Sequence, residues 1–356
     1  MFAESVTAIA SIPDWLRLVA VPVFAWAAYH DVRTRRVANV TWLPLFALGF
    51  VLLAVEGWAA LSAPVGSFVR YRFAVRVVVS LGVVAPLGFL FWRLGGFGGA
   101  DAKALVALAV LFPTYPTYDL PWATLPLEPS SLGVFSLTVL TNTVLVGLAF
   151  PLVLAVHNLL AGERSWLMFV GRSIDSARVD EEYGRLLETP SGRSRGGLDL
   201  DALRMYLRWR GTTLGALLAT PTRHRDPASI TETHHPGDGT VETGRPATDG
   251  GRATADGDTE ETDDGEEADA SPTSGTTPTT DHDDPWGAAA FLADIEGSAY
   301  GTSPEQLREG LDVLVERETV WFTPGLPFIV PMFVGLLVAF GFGDVLFATF
   351  RAVGLV

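Results

Sequence analysis

The sequence predicts an all-α, polytopic membrane protein with six transmembrane helices and a cytoplasmic insert between helices five and six. Two observations lead to this prediction. Hydrophobic residues make up 49% of the 356-residue chain, and they come in long blocks rather than the short alternating runs of soluble domains. Basic residues also cluster at the connections on one side of the blocks.

Most of the apolar blocks approach the roughly 20 residues that a helix needs to cross a hydrocarbon core. The first block lacks a convincing small-residue cleavage site before Asp31, so we expect a retained helix rather than a secretory signal. The six blocks are 12–29, 40–60, 73–94, 102–118, 134–160 and 324–350.

Basic residues predict the orientation. They follow the first, third and fifth blocks, and cytoplasmic connections carry the excess of Lys and Arg. Both termini then lie outside the cell and residues 161–323 lie inside. Arginines between the second and third blocks are an exception to this scheme: Arg70, Arg72 and Arg76. The residues that mark the cytoplasmic side are Arg33, Arg35, Arg36, Arg93, Lys103, Arg164, Arg172 and Arg178.

The chain divides by composition into membrane and cytoplasmic parts. The segment from Pro221 to Pro285 contains 17 acidic residues and 4 arginines, so it carries most of the net charge of −15. It is nearly free of large apolar side chains, which predicts a disordered acidic linker. The predicted parts are a membrane domain (1–160, helices one to five, with the candidate aspartates), an amphipathic helical segment (161–220), the linker (221–285), a small helical segment (286–323) and the sixth transmembrane helix (324–356).

Two short helices are predicted inside the insert. Residues 198–210 (LDLDALRMYLRWR) place their leucines near one face and their arginines largely off it, a pattern suited to lying against a membrane surface. In "SPEQLREGLDVLVERETV", Ser303 is a good N-cap, and Glu305, Gln306 and Glu309 favour the first turns of a helix.

The unusual composition excludes several kinds of chemistry. The chain has no cysteine, which excludes a thiolate nucleophile and a thiolate metal site, and its six histidines show no metal-ligand spacing. Lys103 is the only lysine among 25 basic residues. Together with the acidic linker, this preference for arginine suggests a GC-rich genome and a halophilic source.

Asp101 lies between a glycine-rich segment and an apolar helix, in "GGFGGADAKAL" at 95–105. Such a carboxylate can simply cap the helix, because the exposed N–H groups and the helix dipole stabilise it. Glycines such as Gly98 and Gly99 also allow close approach of a backbone or a substrate strand. Lys103 could extend to the interface, or it could hold the neighbouring carboxylate in its charged form.

Asp31 ends the first apolar helix and can equally be a solvated boundary residue. In the predicted topology, however, Asp31 and Asp101 fall at the same face of the membrane. Two carboxylates a few ångströms apart cannot both ionise easily, so one keeps a proton while the other activates water. The pair is therefore a candidate aspartic-protease dyad, whose titration would belong to both groups together.

These residues resemble the GxGD membrane aspartic proteases, and among them the archaeal prepilin and preflagellin (archaellin) peptidases. The second family motif, Gly-x-Gly-Asp-x-Lys, aligns with Gly98, Gly99, Ala100, Asp101, Ala102 and Lys103. The first motif, an aspartate followed by a basic stretch and Val/Ile-Pro-Asn, aligns with Asp31, Val37, Ala38 and Asn39. The segment 320–335 is also similar to the last helix of that family.

Some positions depart from the family pattern. Ala100 replaces a motif glycine and Ala38 a proline, and we expect the extra methyl group of Ala100 to tighten packing rather than abolish chemistry. A literal Gly-x-Gly-Asp occurs at 341–344, but the predicted topology puts Asp344 at the outer end of the last helix, and no lysine follows it. Interhelical hydrogen bonds or interface positions are expected for the remaining polar residues of the helices: Glu56, Asn142, His157 and Asn158.

The resemblance implies an aspartic endopeptidase that removes basic leader peptides from type IV pilin-like precursors, including prepilins and preflagellins, at the cytoplasmic face of the cell membrane. We expect Asp31 and Asp101 to be catalytic, supported by Asn39, Gly98, Gly99, Ala100 and Lys103. The expected partners are these precursors and membrane lipid, with no metal, cofactor or nucleic acid. Two alternatives remain, a proton-coupled transporter and a catalytically inactive scaffold, and the oligomeric state is open.

Overall fold

The computed structural model describes residues 9–35, 37–94, 97–194, 196–241, 284–295, 299–325 and 327–354. They form two compact units, which we call the helical unit (Met1–Arg172 with Gly325–Val356) and the insert unit (Ser173–Pro324). Arg36, Gly95, Gly96 and most of the predicted acidic linker, 242–283, lie outside the described residues.

Helices dominate the described residues. In chain order the helices are α1 (Ile12–Arg17), α2 (Ala20–Thr34), α3 (Leu43–Ser62, preceded by a 3-10 turn Asn39–Trp42), α4 (Phe68–Arg93, with a π-helical segment Ser80–Val84), α5 (Gly99–Leu111), α6 (Phe135–Leu160), α7 (Leu200–Trp209), α8 (Leu214–Ala219), α9 (Pro221–Arg225), α10 (Ala288–Asp294), α11 (Pro304–Glu316), α12 (Ile329–Gly341) and α13 (Val345–Ala352). The strands are β1 (Tyr118–Leu120), β2 (Ala123–Leu125), β3 (Arg172–Asp175), β4 (Gly184–Leu186), β5 (Glu188–Thr189), β6 (Gly192–Arg193) and β7 (Thr319–Pro324).

Three of the helices in the described part of the chain are long and apolar enough to cross a membrane: Asn39–Ser62, Phe68–Arg93 and Phe135–Leu160. Their outer faces carry large apolar side chains that no other part of the unit covers, such as Phe50, Trp58, Phe89 and Leu152. Contiguous apolar surface of this kind is stable against lipid but not against water. The protein is therefore a membrane protein.

The other three predicted spans are shorter than the sequence suggested. The first apolar block is divided into α1 and α2, the fourth ends at Leu111 and continues into the β1–β2 hairpin, and the sixth is divided into α12 and α13. At 1.5 Å per residue, the 13 residues of α5 or α12 extend about 20 Å, less than the ~30 Å hydrocarbon core. Hydropathy alone could not show this, because α5 is apolar for another reason: its residues from Ala104 to Leu111 pack in the centre of the unit, apart from half-buried Val106.

Small residues and a few polar contacts hold the helical unit together. The Ser80 hydroxyl donates to the Ala109 carbonyl at 2.6 Å and lies 2.7 Å from the Ser136 hydroxyl, which joins α4, α5 and α6. Gly335 of α12 approaches α6 so closely that an added Cβ would lie 2.8 Å from the Thr143 nitrogen. Close backbone approach between helices is the usual role of small residues in membrane bundles.

The insert unit is an α+β structure, whereas the sequence predicted helices alone. A three-stranded sheet has the order β3-β7-β4, and β4 pairs antiparallel with β7, with Leu186 opposite Phe322. Helices α7 and α11 cover this sheet with their apolar faces. The strands are only three to six residues long, too short for their period-two pattern to be distinguished in the sequence.

The amphipathic helix predicted to lie on a membrane surface is instead the core of the insert unit. Leu200, Leu203 and Tyr206 of α7 are completely buried. Two of its arginines are buried as well, because Arg204 donates to the carbonyls of Asp180 and Glu182, and Arg210 donates to the Tyr206 hydroxyl and the Trp286 carbonyl. The amphipathic pattern was correct, but the apolar face is satisfied by protein rather than lipid.

Two further predictions have different outcomes. Ser303 caps α11 as expected: its hydroxyl accepts from the Gln306 N–H at 3.2 Å, and the Gln306 side chain accepts from the Ser303 N–H at 2.7 Å. By contrast, residues 221–241 of the predicted disordered linker are folded. The Tyr300 hydroxyl donates to the Asp238 carbonyl, and the His234 N–H donates to the Trp209 carbonyl, which fixes this stretch on the insert unit despite its polar composition.

Candidate active site

Asp31 lies in the last turn of α2 and is only 8% exposed. The backbone N–H of Ile329, the first residue of α12, donates to its carboxylate, and the Arg35 guanidinium stabilises it electrostatically. Its Oδ2 atom is buried and has no hydrogen-bond partner among the described residues. One carboxylate oxygen of Asp31 is therefore not engaged by the described residues.

Asp101 occupies the first turn of α5, and its Oδ2 accepts a hydrogen bond from the Gly98 N–H at 3.0 Å. This contact is the helix-capping role that the sequence allowed for the residue. This contact uses only Oδ2 and leaves Oδ1 outside the cap. The capping role is therefore compatible with a role in proton transfer.

The structure brings Asp31 and Asp101 close enough for their charges to repel. Both carboxylates lie just beyond the apolar blocks 12–29 and 102–118. Burial raises the pKa of Asp31, against the opposing effects of Arg35 and the Ile329 N–H. Burial also raises the pKa of Asp101, the Gly98 N–H opposes this, and the nearby Asp31 charge raises the pKa further. Two acids that repel each other titrate as a pair, and one of them can keep its proton at a pH where isolated carboxyl groups are ionised.

Lys103 and Asn39, each from one of the two motifs, are in direct contact. The Lys103 ammonium donates a hydrogen bond to Asn39 Oδ1, which ties α5 to the turn that precedes α3. Lys103 thus contacts the first motif rather than its neighbour Asp101, because side chains two positions apart on a helix point to different sides. Its charge is not among the causes that set the pKa of Asp101.

Three features around the aspartates could not be seen in the sequence. The N-terminus of α12 supplies the Ile329 N–H to Asp31, and Arg35 Nη1 donates to the Gly325 carbonyl just before that helix. Phe97, inside the glycine-rich segment, packs on Phe328 with ring centroids 4.5 Å apart. These contacts bring the loop before Asp101 and the helix start beside Asp31 together. The aromatic residue in an otherwise glycine-rich stretch was the one available signal.

Comparison with protein families agrees with this geometry. The model of the type IV leader peptidase family matches residues 18–152, which include both aspartates. A second model, the archaeal peptidase A24 C-terminus type II, matches residues 260–345. The chain belongs to the type IV leader peptidase family.

Curated archaeal relatives are similar over parts of their length. A prepilin peptidase of Methanothermobacter thermautotrophicus is 30% identical over 133 residues, 36% of this chain and 31% of the relative. A preflagellin peptidase of Methanococcus voltae is 28% identical over 163 residues, 43% of this chain and 64% of the relative. A preflagellin peptidase of Methanococcus maripaludis is 27% identical over 169 residues, 45% of this chain and 68% of the relative. The chain thus spans about a third of the first relative and about two thirds of the others.

The two departures from the leader peptidase motifs are compatible with the backbone. Ala100 lies in the first turn of α5 in helical conformation, where alanine is the most favourable residue. Ala38 has φ −60° and ψ 142°, the conformation that a proline would impose at this position. Gly98 is extended, and an added Cβ would lie 3.2 Å from Asp101 Oδ2, while at Gly99 the nearest atom would be 3.9 Å away.

The literal Gly-x-Gly-Asp at 341–344 has a structural explanation. Asp344 is the N-cap of α13: its Oδ1 accepts from the Phe347 N–H at 2.9 Å, and its Oδ2 accepts from the Thr138 hydroxyl at 2.8 Å. The preceding Gly343 has φ +107° and packs against the Glu128 carbonyl. Both carboxylate oxygens are therefore engaged in holding the chain.

The other polar residues of the helices make structural contacts. Asn142 donates to the Gly343 carbonyl at 2.8 Å, and Asn158 donates to the Met168 and Gly171 carbonyls. Glu56 forms an ion pair with buried Arg17 at 2.8 Å, while His157 is exposed. Within the described ranges, no group of three or more His, Cys, Asp or Glu residues is arranged to hold a metal ion.

Proposed function

We propose that this leader peptidase family member is an aspartic endopeptidase that removes the basic leader of type IV pilin-like precursors, prepilins or preflagellins. The observation that supports this most directly is the pair of carboxylates, buried Asp31 and half-buried Asp101, which come from the two separate family motifs and interact electrostatically. The printed names of the relatives, a prepilin peptidase and preflagellin peptidases, point to the same substrate class.

The different surroundings of the two acids suggest their roles. The Arg35 charge and the Ile329 N–H favour the ionised form of Asp31, whereas Asp101 is next to a like charge. Asp31 then takes a proton from water, whose oxygen attacks the scissile carbonyl, while protonated Asp101 donates to the carbonyl oxygen. Collapse of the tetrahedral intermediate breaks the C–N bond. The proton held by Asp31 passes to the leaving amine, and one hydroxyl proton of the intermediate returns to Asp101 as the carbonyl re-forms.

The position of the pair at helix ends fits a substrate that spans the membrane boundary. A pilin-like precursor has a basic leader followed by an apolar helix, so its cleavage site lies where water meets lipid. We propose that this face is cytoplasmic, with residues 161–323 on the same side and both termini outside, and that the short helices α1–α2, α5 and α12–α13 complete six crossings. Acids of ion-coupled transporters lie near the midplane instead.

A cleavage assay tests the proposal. Membranes that contain the wild-type chain, Asp31→Asn or Asp101→Asn are incubated with a tagged pilin precursor, and its shift in mobility is followed. Each substitution should lower the cleavage rate by about 10²–10⁴-fold, because each removes a proton-transfer group while keeping the shape of the side chain.

Asp344→Asn is the matched control, since it changes a buried aspartate that also starts a helix but serves only as a cap. It should cleave at close to the wild-type rate. Full cleavage by either dyad variant at normal protein level would exclude the proposed mechanism. Loss of cleavage in Asp344→Asn alone would assign the catalytic role to the Gly-x-Gly-Asp at 341–344 instead, and no cleavage by the wild-type chain would favour the inactive scaffold.

The proposed orientation can be tested independently of activity. Because the chain has no cysteine, single cysteines at Leu132 and Gly162 are unique labels on the two connections of α6. A membrane-impermeant maleimide added to intact cells should label Leu132→Cys and should label Gly162→Cys only after lysis. The reverse pattern would place the aspartate face outside.

A further inference from the structure

The arginines that contradict the predicted orientation lie on one side of a cavity in the helical unit. Arg72 and Arg76 belong to the first turns of α4, and the cavity between these turns and the loop before α6 has a volume of about 450 Å³. Its other lining residues are Phe68, Tyr71, Val75, Tyr115, Pro129, Ser130, Ser131, Leu132 and Gly133. The lining thus combines two guanidinium groups, several hydroxyl-bearing residues and an apolar rim, without a carboxylate.

The backbone around the cavity makes room for Arg76. Gly133 has φ +68°, a left-handed conformation that favours glycine, and a Cβ there would lie 2.3 Å from Arg76 Nη2. The neighbouring loop is fixed, because the Ser130 N–H donates to the Tyr115 hydroxyl at 3.1 Å. The guanidinium of Arg72 lies over the Phe68 ring, 5.4 Å from its centroid. The backbone at Gly133 thus makes room for the Arg76 guanidinium, while the Arg72 guanidinium lies on the Phe68 ring.

No carboxylate of the described residues pairs directly with Arg72 or Arg76. Glu56 acts on Arg76 electrostatically, but its own oxygens are bound by Arg17 at 2.8 Å and by the Thr114 hydroxyl at 3.0 Å. Arg72 is exposed and Arg76 is half-buried, and their like charges repel each other, so an anion bound between them would relieve this repulsion. Guanidinium groups bind phosphate oxygens in a bidentate manner, which makes phosphate the anion best suited to the site.

We propose that this cavity binds the phosphate group of an anionic membrane lipid. The apolar side chains of Phe68, Val75 and Leu132 would contact the lipid chains, since the cavity lies at the end of a membrane-crossing helix. Arg76 and Arg93 are 17 positions apart on α4, about 25 Å at 1.5 Å per residue, so the site lies at the opposite end of this helix from the loop that leads to Asp101. It is independent of the proposed peptide cleavage.

Lipid binding to the full-length purified chain tests the proposal. Native mass spectrometry in detergent measures the dissociation constant for phosphatidylglycerol, with zwitterionic phosphatidylcholine as the comparison and inorganic phosphate as competitor. The wild-type chain should prefer phosphatidylglycerol. Arg72→Gln with Arg76→Gln should weaken its binding by about tenfold or more, because two charge-assisted contacts are lost.

Arg70→Gln is the matched control, because Arg70 lies on the same turn of the helix but donates to the Leu61 carbonyl outside the cavity. It should bind like the wild type. Gly133→Ala keeps both charges but displaces Arg76, and should also weaken binding. Equal binding by the wild type and the double variant would overturn the proposal, as would equal binding of the two lipids. Complete displacement by inorganic phosphate at the lipid's own concentration would identify free phosphate, rather than lipid, as the ligand.

Discussion

Two segments of the helical unit place an aspartate at the start of a helix: Gly98–Asp101 and Gly341–Asp344. Only the second matches the family motif Gly-x-Gly-Asp at every position. The Asp344 carboxylate has a neutral partner for each oxygen, the Phe347 N–H and the Thr138 hydroxyl. The Asp101 carboxylate has one backbone partner, and a second acid, Asp31, raises its pKa.

The glycines around an aspartate therefore do not decide its role, whereas the groups that contact its carboxylate do. A carboxylate whose oxygens are both occupied by N–H and O–H donors stabilises the chain and has little to offer a substrate. A carboxylate beside another buried acid retains a proton and can transfer it. The following predictions test this contrast.

Apart from loss of either aspartate, a change of pH should have the largest effect on cleavage. The proposed reaction needs one proton on the Asp31–Asp101 pair: as pH falls through the lower pKa of the pair the base is protonated, and as pH rises through the upper pKa the acid is lost. Because burial and mutual repulsion raise the upper pKa, the alkaline limb should lie well above the ordinary carboxyl value of about 4. Two pH units beyond either limb, kcat/KM should be about a hundredfold lower.

The unfolding temperature measured at each pH separates titration of the site from loss of the fold. A rate that stays constant above pH 5 until the protein unfolds would contradict the shared proton. Asp344→Asn should leave both limbs where they are in the wild type, since Asp344 lies outside the pair.

Truncation of Asp344 should lower stability more than truncation of Asp101. Asp344→Ala removes the cap of α13 and leaves the buried Thr138 hydroxyl without its acceptor, which should cost about 2 kcal/mol. Asp101→Ala loses one capping contact but also relieves the repulsion between half-buried Asp101 and Asp31, so its free energy of unfolding should change by less than about 1 kcal/mol. Thermal unfolding in detergent measures both.

Asp344→Asn, which keeps a capping oxygen, serves as the control and should recover most of the lost stability. If Asp101→Ala were as destabilising as Asp344→Ala, then Asp101 would be chiefly a cap and the contrast between the two segments would disappear.

The sequence was a good guide to the long elements of the fold and to the pairing of the motifs. The helices Asn39–Ser62, Phe68–Arg93 and Phe135–Leu160 follow from hydropathy, because a crossing helix must be apolar along its whole length. Hydropathy could not separate crossing from burial in α5, nor membrane from protein as the partner of α7. In both cases the pattern shows that a face is hidden, and only the tertiary contacts show what hides it.

The sequence proposed the candidate residues, whose catalytic roles stay predictions, but it did not indicate the contacts that support them. Asp31 and Asp101 were paired from helix parity, and Lys103 was singled out because it is the only lysine. Its contact with Asn39 was not foreseen, since the two residues are 64 positions apart. The Ile329 N–H that stabilises Asp31 is a backbone group and leaves no trace in a pattern of side chains.

Loss of the hydrogen bond between the two motifs should lower kcat/KM less than loss of Asp31 or Asp101. Lys103→Met removes the hydrogen bond to Asn39 and keeps the length of the side chain, so it should lower kcat/KM about tenfold by loosening the position of the acids. Asn39→Ala removes the same bond from the other side. Cleavage kinetics of the two single variants and the double variant measure the coupling.

If Lys103 acts through Asn39, the double variant should be little worse than either single variant. Multiplied losses would mean that the two residues act independently. Unchanged activity in Lys103→Met would leave the lysine with a purely interfacial role.

The smallest effects are expected from substitutions of Gly98 and Ala100, which test how closely the backbone before Asp101 controls the position of its carboxylate. Ala100→Gly restores the family motif Gly-x-Gly-Asp but introduces glycine into the first turn of α5. The free energy of unfolding should therefore fall by about 0.5–1 kcal/mol, while the cleavage rate remains unchanged. Gly98→Ala adds one methyl group, whose carbon would lie 3.2 Å from Asp101 Oδ2, and it should lower cleavage about threefold by displacing the carboxylate.

The two variants should therefore differ in which quantity falls. Ala100→Gly should mainly lower the unfolding temperature, and Gly98→Ala should mainly lower the cleavage rate. A large gain in cleavage by Ala100→Gly would show that the methyl group of Ala100 restrains the site, and that the missing motif glycine matters chemically. Equal rates for both variants and the wild type would mean that the space around Asp101 tolerates a methyl group on either side.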